Sequence, residues 1–322
     1  MTALSSPALP LLLEEVEVVS VQRLSPSFVR VELGSPALAE FGVDQPLYDQ
    51  RIKLIFPPAG GALASFVGAD EGWMQAWYAR PAEERGHMRT YTVRDVRGEG
   101  ADTRIVVDMV LHEADGHAGP GSSWAARATV GDRIALMCPR RGMPFGGIEF
   151  VPGSASRVVI VGDETAVPAA CATLALLPND AQGAAFLEVP LAADVQTVQH
   201  PVGVSVTWLP RDGAELGSLL GPAVLEHLGA PVAVAEVADD EVDPDLWETP
   251  MYSSSGEIDG PVEAAPVTAP ASGTGTDGVY AWIAGESKVV TSLRRALVNE
   301  LGMDRRQVSF MGYWRRGVAM KS

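Results

Sequence analysis

The sequence is poor in cysteine and in basic residues. Its two cysteines, Cys138 and Cys171, are too few for an iron–sulfur cluster or a cysteine-only zinc site, each of which needs about four thiolates. They do not support a disulfide framework either. The 322 residues include 24 Lys and Arg against 41 Asp and Glu, a formal net charge of -17. Such a surface repels nucleic acid, so no nucleic-acid partner is expected.

Long apolar runs are also missing. The run at residues 9–13 is followed by Glu14 and Glu15, and it is far shorter than the roughly 20 residues that span a bilayer. The first ten residues lack the basic segment of a secretory signal. We therefore expect a cytoplasmic protein with no membrane partner. Its apolar fraction of 47% and charged fraction of 20% are typical of globular proteins.

The two parts of the chain differ in pattern. Up to about residue 150, Gly/Pro turns separate short alternating segments, which predicts an antiparallel barrel domain over 13–152 behind a loose tail at 1–12. Apolar strands then alternate with helices, which predicts a parallel-sheet α/β domain over 153–322. The predicted strands are 16–18, 29–33, 51–56, 104–111, 132–137, 157–162, 183–189, 204–208 and 279–285. The predicted helices are 168–177, 214–228 and 288–301.

Residues 238–278 interrupt the second domain. They are rich in Ser, Gly, Pro, Ala, Asp and Glu and contain no Lys or Arg. This composition predicts a flexible acidic insertion.

The segment Arg89-Thr-Tyr-Thr-Val-Arg94 combines residue types that suit a flavin. On an extended strand Arg89 lies beside Tyr91, and Thr92 beside Arg94. An aromatic ring can cover the flavin, a hydroxyl can bond its edge, and a guanidinium can bind its pyrophosphate. By itself the segment is equally consistent with an ordinary exposed strand.

Two further segments have the character of ligand-binding turns. Gly119-Pro-Gly-Ser-Ser-Trp-Ala125 places glycines and a serine just before a helix-like stretch, where backbone N–H groups favour phosphate. His112 could bond the same ligand or be structural. Residues 163–166 follow the first parallel strand, where open α/β sheets bind ligands. Asp163 or Thr165 could also cap the next helix, and the two roles are compatible. No Gly-x-Gly-x-x-Gly follows that strand.

Basic residues reappear beside aromatics near the C-terminus, around Trp282, Lys288 and Trp314. A cationic, aromatic patch suits an anionic planar partner such as a nicotinamide dinucleotide or a ferric chelate. The alternative is a solvated helix with a packed aromatic tail.

Taken in order, these motifs resemble the siderophore-interacting protein family of FAD-dependent ferric-siderophore reductases. Further matching segments are Ile-Lys53-Leu-Ile-Phe-Pro, Pro139-Arg-Arg-Gly142, Gly162-Asp-Glu-Thr-Ala-Val-Pro-Ala169, Trp282-Ile-Ala-Gly-Glu286 and Gly312-Tyr-Trp-Arg315. The resemblance implies a ferredoxin-reductase-like architecture, with an antiparallel FAD-binding barrel followed by a parallel-sheet domain of the nucleotide-binding type.

The resemblance also implies the site. The implied FAD-binding residues are Arg89, Tyr91, Thr92, Asp108, Val110, His112, Gly119, Gly121, Ser122, Trp124, Ala125, Asp163, Glu164, Thr165, Ala166 and Trp314. The implied ferric-siderophore pocket is basic, with Lys53, Arg141 and Arg315, and with Arg140 and Arg316 as neighbours. Electrons would come from NADPH, NADH or a reduced ferredoxin. Neither a general base nor a metal ligand is assigned.

Three alternatives stay open at this stage: a flavin reductase, an electron-transfer reductase of the same architecture, and a flavoprotein that binds siderophore without turning it over. The insertion is longer than expected for the family, which leaves the electron donor the most open part of the assignment.

Overall fold

The computed structural model describes residues 9–112, 119–230 and 276–317. These residues form two sheets, each with its own core. The strands are β1 Leu11–Arg23, β2 Phe28–Gly34, β3 Arg51–Phe56, β4 His87–Thr92, β5 Asp95–Arg97, β6 Arg104–Val110, β7 Arg133–Pro139, β8 Arg157–Gly162, β9 Gly183–Val189, β10 Val204–Pro210, β11 Val279–Glu286 and β12 Val308–Trp314. The α-helices are α1 Trp73–Tyr78, α2 Ala82–Arg85, α3 Pro120–Ala125, α4 Val167–Leu176, α5 Leu220–His227 and α6 Ser287–Arg295.

The first sheet is antiparallel, with strand order β4-β3-β7-β1-β2-β6-β5. Alternate residues of its strands, such as Ile52 and Leu54 on β3, point into one apolar core. Just after β4, the Arg94 N–H donates to the Val106 carbonyl of β6 at 2.9 Å. This bond joins the two sides of the sheet, and the predicted antiparallel barrel architecture is confirmed.

The predicted N-terminal tail is too long. β1 already begins at Leu11, and Leu12 pairs with Cys138 of β7 while its side chain lies in the barrel core. The short apolar run near the N-terminus is therefore the start of a barrel strand. Residues 1–8 of the predicted tail lie outside the described part of the chain.

The second sheet is parallel, with strand order β10-β9-β8-β11-β12. This confirms the predicted α/β class. Val158 and Ile160 of β8 belong to one apolar cluster, and Val159 and Val161 to another. Burial on both faces explains why β8 has a continuous apolar sequence. Because β9 lies on one side of β8 and β11 on the other, the order of the strands reverses between β8 and β11.

Two predicted helices have different bounds in the structure. The helix predicted at 214–228 begins only at Leu220, because Gly217 has a φ of +80° and both Gly217 and Leu219 donate N–H bonds to the Glu188 carboxylate, at 2.8 and 3.1 Å. The helix predicted at 288–301 is α6, which ends at Arg295 and continues as a π-helical turn at Ala296–Glu300. The predicted insertion lies outside the described residues except for 276–278.

A buried aspartate of the barrel binds the parallel sheet. Asp49 precedes β3, and its carboxylate accepts the indole N–H of Trp282 on β11 at 2.8 Å. It also accepts the backbone N–H groups of Glu149 and Phe150, both at 3.1 Å. Tyr280 of β11 adds a hydroxyl bond of 2.9 Å to the Glu149 carbonyl. These bonds fasten β11 to the barrel.

A second aspartate makes the reverse connection. Asp194 follows β9, and its carboxylate accepts bonds from the turn between β1 and β2. The donors are the Ser25 hydroxyl at 2.6 Å, the Ser27 hydroxyl at 2.8 Å and the Ser27 N–H at 2.9 Å. Asp194 is fully buried. Each unit therefore supplies one carboxylate to the seam between them.

The helices of the described residues are short. The longest is α4, with ten residues. Across 9–112, 119–230 and 276–317, none has the length and hydropathy that a membrane span requires.

Replacement of Asp49 by Ala is expected to loosen this seam. It leaves the buried indole N–H of Trp282 and the N–H groups of Glu149 and Phe150 without their acceptor, and each unsatisfied donor costs about 1–3 kcal/mol. We expect the free energy of unfolding, measured in urea, to fall by at least about 3 kcal/mol. Asp44→Ala, at an exposed position of the same loop, is the matched control. Equal losses in the two variants would contradict the role given to Asp49.

Candidate functional site

One wall of the candidate site is built on β4. The register pairs Arg89 with Leu54 and Tyr91 with Ile52 of β3. Both residues therefore share one face of the sheet, as the alternation of the segment predicts. The Tyr91 ring packs edge-on against Phe56, with 6.1 Å between ring centroids. Burial lowers the pKa of Arg89 and raises that of Tyr91.

Helix α3 lies directly against this wall. It begins at Pro120, after Gly119. Gly121 and Ser122 therefore lie in its first turn, whereas the sequence analysis placed them in a loop before the helix. A Cβ atom on Gly121 would lie 2.1 Å from the Tyr91 hydroxyl oxygen. Only glycine therefore permits this approach of the ring to the helix.

The end of α3 belongs to the barrel core. Trp124 and Ala125 are both buried there, and the Trp124 ring lies 5.1 Å from Phe56. Their side chains hold the helix against the wall.

His112 connects α3 to the parallel sheet. Its backbone N–H donates to the Ser122 hydroxyl at 2.9 Å. Its ring centroid lies 5.8 Å from that of Trp314, at the end of β12. The segment after β6 thus contacts α3 on one side and the second sheet on the other.

Asp163 fixes the orientation of Trp314. One carboxylate oxygen accepts the Trp314 indole N–H at 2.9 Å and the Glu286 N–H at 2.7 Å. The other accepts the Thr165 N–H at 2.8 Å and its hydroxyl at 2.6 Å. A Cβ on Gly285 would lie 2.7 Å from the Asp163 carboxyl carbon. One side chain therefore ties together the carboxyl ends of β8, β11 and β12.

The predicted capping of α4 by the side chain of Asp163 or Thr165 is wrong, although the segment is a strand-to-helix turn as expected. The N-cap of α4 is Ala166, and no side chain bonds the helix start. The side chain of Asp163 bonds Thr165, which precedes the helix.

Seven of the predicted residues form a continuous path of contacts from barrel to sheet. Along the path its members are Tyr91, Gly121, Ser122, His112, Trp314, Asp163 and Thr165. An aromatic wall, a helix start and a second aromatic ring are thus brought to one place.

Other predicted residues have different surroundings. Asp108 is buried and receives two bonds from Arg30, at 2.6 and 2.7 Å, with Arg94 at 3.5 Å. Its carboxylate therefore links strands of the barrel. β4 ends at Thr92, which pairs with Arg51, so the predicted placement of Thr92 beside Arg94 fails because Arg94 has left the strand.

Val110 and Ala166 have apolar surroundings. Ala166 is buried in a core cluster of the parallel sheet, and Val110 of β6 packs against the same cluster. Their side chains join the barrel to the second unit by packing.

Glu164 belongs to a charged cluster with Arg211 and Glu188 that the sequence did not predict. Its two oxygens accept bonds from the Arg211 guanidinium at 2.8 and 3.0 Å, and Glu188 lies 3.1 Å from the same group. Arg211 is the only Lys or Arg between residues 190 and 219. A single basic residue in a long stretch without others is the sequence feature that could have indicated a specific role for Arg211.

The predicted basic residues lie on three segments. Lys53 donates to the Thr90 hydroxyl at 2.8 Å, and burial, with the charge of Arg51, lowers its pKa to about 8. Arg141, just after β7, donates to the Phe41 carbonyl at 3.1 Å.

Arg315 is half-buried just after β12. Of the neighbouring residues, Arg140 contacts Glu40, and the Arg316 N–H donates to Glu286 at 3.2 Å.

Comparison with known proteins gives a consistent result. A model of the siderophore-interacting FAD-binding domain matches residues 17–143, and a model of siderophore-interacting proteins matches residues 155–317. An uncharacterized protein of Mycobacterium tuberculosis is 33% identical over 310 residues, covering 95% of this chain and 91% of the relative. Ferric vibriobactin reductase ViuB of Vibrio cholerae is 26% identical over 302 residues, covering 94% and 89%.

Solved structures agree. A siderophore utilization protein from T. fusca aligns with a TM-score of 0.65 and 29% identity, covering 97% of this chain and 96% of that one. The ferredoxin reductase of carbazole 1,9a-dioxygenase aligns with a TM-score of 0.53, covering 96% and 71%. Because that protein is only 15% identical, the likeness is one of fold. The architecture is ferredoxin-reductase-like, as predicted.

Asp163 is expected to make stability depend on pH. Burial, followed by the charge of Glu164, raises its pKa from 3.8 to about 7. The native state then binds this proton more tightly than the unfolded chain, so the contribution of Asp163 to the free energy of unfolding falls as the pH rises from about 4 to about 7.

Asp163→Asn should remove this fall. We expect the free energy of unfolding of the wild type, relative to the variant, to decrease across that range by up to about 1.4 kcal/mol per pH unit. Urea titrations at a series of pH values measure it. A difference that stays constant with pH would contradict the raised pKa.

Proposed function

Because the chain belongs to the siderophore-interacting protein family, we propose that it is an FAD-dependent reductase that releases iron from ferric siderophores in the cytoplasm. The observation that carries the proposal is the path of contacts from Tyr91 through His112 to Trp314, which joins the FAD-binding barrel to the parallel sheet. One relative bears the name ferric vibriobactin reductase, which supports this choice of reaction.

The residues of the barrel fit an FAD molecule. Tyr91 presents an aromatic surface that is fixed between Phe56 and α3. The N–H groups of Gly121 and Ser122, in the first turn of α3, have no partner within the helix and favour an anion. Arg89 lies on the same face as Tyr91, and a phosphate beside it would offset the burial that lowers its pKa.

Trp314 supplies the opposing surface. Asp163 and His112 hold its indole from two sides, so the ring cannot turn away without breaking the 2.9 Å bond to Asp163. In this proposal Tyr91 and Trp314 bracket the space for the flavin ring, and His112 borders it.

The bound flavin would supply the redox chemistry, accepting electrons in pairs and passing them on singly. Siderophores hold Fe(III) through hard oxygen donors and hold Fe(II) far less well. One electron per iron therefore weakens the chelate and releases the metal. The task of the protein is to bring the chelate to the flavin and to balance its charge. This scheme needs no general base.

The ferric chelate is an anion, so its binding site needs positively charged side chains. We assign that role to Lys53, Arg141 and Arg315, which lie on β3, just after β7 and just after β12. Lys53 bonds only a neutral hydroxyl among its described contacts. It therefore keeps its charge available for a ligand, and an anion nearby would raise its lowered pKa.

Electron transfer from the reduced protein is the decisive test. Photoreduced, FAD-loaded protein in air-free buffer is expected to be reoxidised by tris-catecholate or hydroxamate iron(III) chelates, with Fe(II) captured by a ferrous-specific chelator. Metal-free siderophore is the control, and reoxidation by it would point to another electron acceptor. Binding without reoxidation would show a siderophore-binding flavoprotein that is not a reductase. Protein that holds no FAD would overturn the proposal at its first step.

The basic residues give a separate expectation. Lys53→Ala, Arg141→Ala and Arg315→Ala should each raise KM for an anionic chelate by about tenfold, since each removes a charge near the ligand, while FAD content stays unchanged. In the wild type, KM should rise as the pH passes about 8, because Lys53 then loses its proton. That rise should be absent in Lys53→Ala.

Arg133→Ala is the matched control, since Arg133 is exposed on β7 and pairs with Glu15. A loss of FAD from the three variants, with no change in KM, would show that these residues serve the cofactor.

A further inference from the structure

The carboxyl edge of β9 and β10 carries a guanidinium that is held by two carboxylates. Arg211 follows β10, and its side chain is 12% exposed. Glu164, in the turn after β8, binds it through two bonds, and Glu188, at the end of β9, binds it through one. Glu188 is fully buried. The cluster has two negative charges and one positive charge.

The backbone around this cluster is fixed as well. The Arg211 N–H donates to the Val189 carbonyl at 2.8 Å, which fastens the end of β10 to the end of β9. The Glu188 carboxylate also accepts the N–H groups of Gly217 and Leu219. Arg211 is thus held through both its backbone and its side chain, and turning it toward another anion would break the pair with Glu164.

A dinucleotide on this fold would lie across the edge where the strand order reverses, between β8 and β11. In doubly wound sheets the adenosine half lies toward the second strand. There an acidic residue suits the free ribose of NADH, and an arginine suits the 2′-phosphate of NADPH. Here the second strand is β9. Glu188 and Arg211 therefore lie at the position where such sheets distinguish NADH from NADPH.

The charges at this edge oppose a phosphate. A phosphate monoester carries about −1.5 to −2 charge at neutral pH. The stretch 190–219 offers Arg211 as its only Lys or Arg, against Asp194, Asp212 and Glu215. A 2′-phosphate that drew Arg211 away would leave the carboxylate of Glu164 buried and unpaired, which is strongly unfavourable. One that bonded Arg211 in place would lie close to the like charges of Glu164 and Glu188. The hydroxyls of an unphosphorylated ribose make no such demand.

We propose that this edge is a binding site for an unphosphorylated adenosine ribose, that the electron donor is accordingly NADH and not NADPH, and that Glu164 and Glu188 set this preference by holding Arg211. The inference rests on the proposed function, because it names the donor of that reaction.

Equilibrium binding tests the preference without turnover. FAD-loaded protein is titrated calorimetrically with ADP-ribose and with 2′-phospho-ADP-ribose, at one ionic strength. We expect ADP-ribose to bind at least about tenfold more tightly, a difference of 1.4 kcal/mol. The rate at which each donor reduces the flavin in air-free buffer should rank NADH above NADPH. Equal affinity, tighter binding of the phosphorylated ligand, or binding of neither would overturn the inference.

Variants test the residues. Glu164→Gln removes one charge and weakens the hold on Arg211, so affinity for 2′-phospho-ADP-ribose should rise about tenfold, with little change for ADP-ribose. Glu226→Gln removes the same charge from an exposed position of α5 and should change neither affinity. If Glu164→Gln improves neither ligand or both equally, Glu164 does not set the preference. The wild-type titrations decide the preference itself even if that variant fails to fold.

The outcomes separate this inference from the proposed function. Photoreduced protein that reduces ferric chelates, but binds neither nucleotide fragment, would retain the reductase assignment and reject the NADH site. Protein that binds ADP-ribose selectively, but passes no electrons to any chelate, would do the reverse.

Discussion

The hydrogen bonds that Asp49 and Asp194 accept across the seam fix how the antiparallel barrel lies against the parallel sheet. Both carboxylates are fully buried, and each accepts bonds from the other unit: from the Trp282 indole in one case, from Ser25 and Ser27 in the other. Such bonds are directional, so they define an angle as well as a contact. Apolar packing alone would define it less sharply.

The candidate site depends on that angle. Tyr91 and His112 come from the barrel, whereas Trp314 comes from the last strand of the sheet. The two rings at the junction lie 5.8 Å apart, and a rotation of a few degrees about the seam would change that separation. Asp163 then acts within the sheet in the same way, because it holds the indole that faces the barrel. Buried carboxylates therefore fix both the orientation of the two units and, within the sheet, the orientation of Trp314.

Much of the fold followed from local pattern. The predicted bounds of β3, β8 and β9 match the structure, because each is a run with strong alternation or continuous apolar character. The shared face of Arg89 and Tyr91 also followed from alternation. The late start of α5 did not, because it depends on Glu188, which lies about thirty residues away and accepts the N–H of Gly217. Contacts of that kind have no local sequence pattern.

The same limit applies to the site. Nothing near Asp49 in the sequence indicates that Trp282 is its partner. Nor does the spacing of Asp108 reveal that Arg30 occupies its carboxylate. The resemblance to a family indicated the region of the candidate site, whereas the contacts that each residue makes within it are visible only in the tertiary structure.

The strand that carries Trp314 of the candidate site is the last strand of the described residues. β12 lies at the edge of the parallel sheet and carries Trp314 at its end, whereas every barrel strand precedes residue 140. During synthesis the barrel strands have left the ribosome long before β12 emerges. Until then His112 lacks the Trp314 ring that lies beside it in the complete structure. Under the proposed function, the barrel side of the site is therefore open to a cofactor in the growing chain before the sheet side is made.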